Sequence, residues 1–64
     1  MDVSHITHIG PHKRPVSNVT VAGSKQHDGE TVVKLAFTWE DVPHNEAHKK
    51  EGSYWVFSED IPYL

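Results

Sequence analysis

Six histidines in 64 residues are the side chains with most chemistry to offer. The string His44-Asn45-Glu46-Ala47-His48 sets two imidazoles four positions apart, on one face of an α-helix, where they could share a metal ion. A zinc hydrolase needs the order His-Glu-x-x-His, so that the glutamate reaches the metal-bound water. Here the glutamate stands one place too late, and no third ligand follows downstream. The string fails as a protease motif, and no resident metal or other cofactor is expected. His5, His8 and His12 would also share a helix face. Gly10-Pro11 breaks any helix before His12, however, and on a strand His5 and His8 point to opposite sides. Solvated loop histidines are the ordinary reading of both groups. A metal-binding or pH-responsive protein is the further function they leave open, since protonating all six would reverse the net charge of −3.

Other catalytic arrangements find less support. Glu40-Asp41 and Glu59-Asp60 are adjacent carboxylates at expected strand ends, whereas glycoside hydrolysis needs two carboxyls flanking a cleft, one with a raised pKa. No nucleophile elbow and no glycine-rich phosphate loop occurs. Asn18-Val19-Thr20 fits the glycosylation sequon but falls inside an expected strand. The chain reads as a non-enzyme with no small-molecule substrate.

Aromatic residues carry the strongest binding signal, because Tyr and Trp bury large areas at low entropic cost. Trp39 is expected to fill the core. Tyr54, Trp55, Tyr63 and the neighbouring Leu64 are candidate contact residues, together with His44, Glu46 and His48 of the polar stretch 40–52. Long polar stretches between strands are disproportionately functional.

These residues need a frame, and period-two alternation supplies it. Glu30–Trp39 puts Thr31, Val33, Leu35, Phe37 and Trp39 on one face and Val32, Lys34, Ala36 and Thr38 on the other, which is a strand. Val16–Ala22 and Ser53–Phe57 read as strands too, and Val3–Ile9 as an edge strand or ordered arm. Residues 23–29, bounded by glycines and leaving through Asp28-Gly29, read as a hairpin connection. Both faces of Ser53–Phe57 are apolar, so that strand is either central or presents an exposed side. Ile61–Leu64 could pack back across the sheet or extend to a partner.

The expected fold is mostly all-β: a small antiparallel sheet of four to five strands, curled or closed into a small barrel, with at most one short helical turn in 43–51. Residues 1–15 form the arm or edge strand and residues 16–64 a single β domain. Charge is uneven along it. Residues 1–25 carry Asp2 against Lys13, Arg14 and Lys25, a net +2, while residues 26–64 carry −5. That acidic half argues against sequence-independent nucleic-acid binding, which draws on Lys and Arg.

The absence of cysteine excludes disulfides and thiolate zinc sites. Together with an N-terminus lacking signal-peptide features and the lack of any apolar run near 20 residues, it points to an intracellular, cytoplasmic protein with no membrane role. The expected function is a protein–protein interaction module, an accessory or inhibitory protein of the kind phages and mobile elements encode, docking on a larger protein or on itself. The alternative is a single-stranded nucleic-acid-binding small barrel, with Lys13, Arg14 and Lys25 on phosphate.

Overall fold

A computed structural model describes residues 2–64. Four antiparallel strands, β1 (His8–Ile9), β2 (Arg14–His27), β3 (Glu30–Trp39) and β4 (Glu51–Phe57), follow one another across a single sheet in the order β1-β2-β3-β4. Two short 3₁₀ segments complete the chain, η1 (His44–Lys49) between β3 and β4 and η2 (Ser58–Tyr63) after β4. The sheet curls into a half-barrel, and the molecule is elongated, 42 × 20 × 19 Å.

β3 spans the residues its alternation predicts, and it is the spine of the core. Val33, Leu35 and Phe37 are buried on its inner face, and burying each such side chain contributes about 1.5–3 kcal/mol. β2 is twice the expected length. The stretch Gly23–His27, read as a loop, continues the strand and pairs with Glu30–Lys34. The turn itself is Asp28-Gly29. Both residues have positive φ, +50° and +81°, which a tight two-residue hairpin of primed type requires. Register shifts fall between Ser17 and Thr20 and between Val21 and Gly23, with Asn18 at φ +55° in the first. These bulges bend the long hairpin.

The N-terminal arm departs from strand alternation. Only His8 and Ile9 pair as a strand, with Pro15 and Arg14. Residues 3–6 form a turn closed by Ile6 N–H donating to the Val3 carbonyl at 3.2 Å. A turn brings every third residue inward, so Val3, Ile6 and Ile9 all join the core with Val16, Val33, Leu35, Phe37 and Ile61. The arm is thus a lid on the concave face of the sheet. Ile61 of η2 closes the same face, so the tail packs back across the sheet and adds a second helical turn beyond the one expected in 43–51. Trp39 packs at the margin of this core, edge-on to Phe37 with ring centroids 4.7 Å apart.

Candidate functional site

β4 is the last strand of the sheet, so one of its edges has no neighbour. Trp39 N–H donates to the Lys50 carbonyl at 2.7 Å just before β4 begins. In an antiparallel ladder hydrogen-bonded pairs alternate with non-bonded ones. Gly52, Tyr54 and Val56, opposite Phe37, Leu35 and Val33, therefore bond to β3. Glu51, Ser53, Trp55 and Phe57 turn their N–H and C=O groups to the open side.

Alternation also splits the side chains. Tyr54, in the row of Val21 and Leu35, is on the opposite face of β4 from Trp55. Trp55 and Phe57 stand on the outer face, opposite Lys34 and Val32. Tyr54, Trp55 and Phe57 are 42%, 46% and 38% exposed, so aromatic surface lies on both sides of one free edge. Lys25, opposite Val32 in the ladder, places its ammonium 4.6 Å from the centre of the Trp55 ring. This cation–π contact caps the outer aromatic surface with charge.

At the other end of the sheet a second stack holds β4 in place. The Arg14 guanidinium lies 3.9 Å from the centre of the Trp39 ring and donates to both oxygens of Asp41, at 2.9 and 2.8 Å. The paired guanidinium holds the Asp41 carboxyl below its ordinary pKa, and the carboxylate raises that of Arg14. The Trp39 indole covers Gly52: a Cβ there would stand 2.4 Å from Trp39 Nε1 and 2.7 Å from Phe37 Cε1. A glycine is required at this point of β4 so that an aromatic ring can lie over the backbone.

The other sequence-predicted residues lie elsewhere. His44 and His48 are exposed on η1 and Glu46 is half-buried there, where Lys49 Nζ donates to Glu46 Oε1 at 3.2 Å. A 3₁₀ turn has about three residues per turn, so His44 and His48 no longer eclipse as on an α-helix. No group of three or more His, Asp or Glu residues among the described residues is placed to hold a metal ion. Tyr63, 87% exposed, and Leu64 line a shallow depression of about 440 Å³ with Thr7, His8, Gly10 and Lys13. Arg14 is engaged by Asp41 and Trp39, and Lys25 by Trp55, at opposite ends of β2. At about 3.3 Å per residue they stand roughly 30 Å apart and form no shared basic patch.

Phe57 and Lys25 complete the β4 surface and were not singled out as its members by sequence. Phe57 carried a signal, since it shares a face with Trp55. Lys25 carries none, because the polar residues of Gly23–His27 do not themselves signal a strand. On the concave side, a depression of about 400 Å³ is lined by Asp2, His5, Ser58, Ile61 and Pro62. His5 Nε2 donates to the Ile61 carbonyl at 2.9 Å, and Asp2 accepts from Ser4 N–H and Oγ, which lowers its carboxyl pKa. These contacts fasten the arm to η2.

No protein-family model, curated protein or solved structure matches this chain. No helix of the described residues is long and apolar enough to cross a membrane.

Proposed function

We propose that the chain is a non-catalytic protein–protein interaction module that works through β4. One observation carries this reading: a seven-residue strand with a free edge exposes Tyr54, Trp55 and Phe57 and holds no charge or proline from Gly52 to Phe57. Proteins that avoid edge-to-edge association place lysine, proline or a bulge there. An edge left open, beside residue types enriched at binding hot spots, fits addition of a partner's strand.

The rest of the surface supports a binding role over catalysis. No polar or charged side chain is buried among the described residues. The displaced pKa values of Asp2, Arg14 and Asp41 arise from surface hydrogen bonds, not from the burial that tunes catalytic groups. The nucleic-acid alternative draws less support, because Arg14 and Lys25 are already engaged within the chain.

Photo-crosslinking tests the proposal. A benzophenone amino acid at Trp55 or Tyr54, in cells producing the protein, should give discrete protein adducts, while the same group at Gln26 on the hairpin should not. Equal labelling at all three positions, or none at any, would refute it.

A further inference from the structure

Resting on this reading of β4, we infer that the partner strand is β4 of a second copy of the chain, paired antiparallel about a two-fold axis at Tyr54. The pattern of the strand and its flanks is self-complementary. With Tyr54 opposite its own copy, Ser53 faces Trp55, Gly52 faces Val56 and Glu51 faces Phe57, so all seven residues pair. The outward groups of Glu51, Ser53, Trp55 and Phe57 then make about eight hydrogen bonds between chains. A two-fold axis perpendicular to the sheet keeps each face continuous. Trp55 and Phe57 of both copies gather on the outer face, and the two Tyr54 side chains meet on the inner one.

Charge specifies the same arrangement. Lys49 and Lys50 precede β4, and Glu59 and Asp60 follow it. Antiparallel pairing about Tyr54 sets Lys49 and Lys50 of each chain beside Ser58, Glu59 and Asp60 of the other. Lys50, Glu59 and Asp60 take part in none of the ion pairs within the described residues, and Lys49 would exchange its exposed contact with Glu46 for this pairing. A shift of the axis to Trp55 would instead bring Glu51 against Glu59. The area covered is on the order of 1,000 Å², at the lower edge for a specific interface, so association should depend on protein concentration. The product is one eight-stranded sheet with β1 at both ends.

Sedimentation or light scattering across a micromolar concentration series reads the result. The 7.3 kDa chain should approach twice that mass as concentration rises. Ser53→Pro removes an outward N–H that makes no bond to β3, and Trp55→Lys puts charge on the edge. Both should stay monomeric over the whole series with an unchanged far-ultraviolet spectrum. Glu59→Lys with Asp60→Lys should weaken association at least tenfold, and adding Lys49→Glu and Lys50→Glu in the same chain should restore it. A wild-type chain that stays monomeric, or charge exchange without rescue, overturns the self-pairing. The crosslinking then separates the two claims: adducts to a different protein alone leave the interaction module standing, and no β4-specific adducts removes both.

Discussion

The Trp39 indole lies directly over Gly52, at the point where β4 enters the sheet. Arg14 stacks on the same Trp39 ring and is fixed by Asp41, so β2 and the 40–43 segment act on Gly52 only through Trp39. The stack sets where β4 begins, and hence which of its groups bond to β3 and which face outward. Position along the strand is what gives the free edge its character.

Gly52→Ala should therefore be costly although the residue is near the surface. The new methyl group must displace Trp39 or Phe37, a strain of about 1–3 kcal/mol. For a domain of this size the melting temperature should fall by roughly 4–8 °C per kcal/mol. In a Trp39→Ala background the same change should cost far less, because the obstructing ring is gone. Equal cost in both backgrounds, in a double-mutant melting series, would contradict the stacking account.

Asp41 gives the stack a pH dependence. Its folded-state pKa lies below the ordinary value of 3.8. The stabilisation it contributes is therefore fully present above about pH 4 and is lost as pH falls through the lowered value. Melting curves should show wild type losing more stability on acidification than Asp41→Asn. The slope does not vanish in the variant, because the Asp2 carboxyl is lowered too.

The arm should prove part of the core. Ile6→Ala and Ile9→Ala remove side chains that are 3% and 2% exposed, and each should cost about 2–4 kcal/mol, close to the 3–5 kcal/mol expected for Phe37→Ala. Chemical denaturation checks this. Loss of less than about 0.5 kcal/mol at both positions would mean that the arm detaches in solution.

Lys25→Ala should uncover Trp55. Removing the ammonium from the ring forfeits about 0.5–1 kcal/mol at an exposed site and should change the Trp55 fluorescence, with Trp39 replaced by Phe to isolate the signal. Identical emission from both proteins would show that the contact does not persist in water.

How much of this the chain discloses depends on which rule each segment obeys. Thr31 to Trp39 obey strict alternation, and the Asp28-Gly29 turn has the residues its dihedrals demand, so both are legible. Gly23–His27 is a strand because it pairs with the robust β3, not because of its own polar residues, and no local rule reveals that. Val3, Ile6 and Ile9 repeat at three, a turn-and-lid spacing that strand alternation scatters onto two faces. The exposed aromatics of β4 were visible by type. Their separation onto two faces follows from alternation alone, but the position of the strand at an edge, away from Tyr63, Leu64, His44 and His48, is a consequence of sheet order, which the pattern of one strand does not contain.

Amide hydrogen exchange at Ser53, Trp55 and Phe57 tests the central claim most directly. These three N–H groups face away from β3, so in a monomer they should exchange rapidly while Tyr54 and Val56 are protected. The account predicts that exchange at all three slows by at least tenfold as protein concentration rises through the dissociation constant, and stays fast in Ser53→Pro at Trp55 and Phe57. Fast exchange that does not change with concentration, or protection that survives in the proline variant, would contradict it.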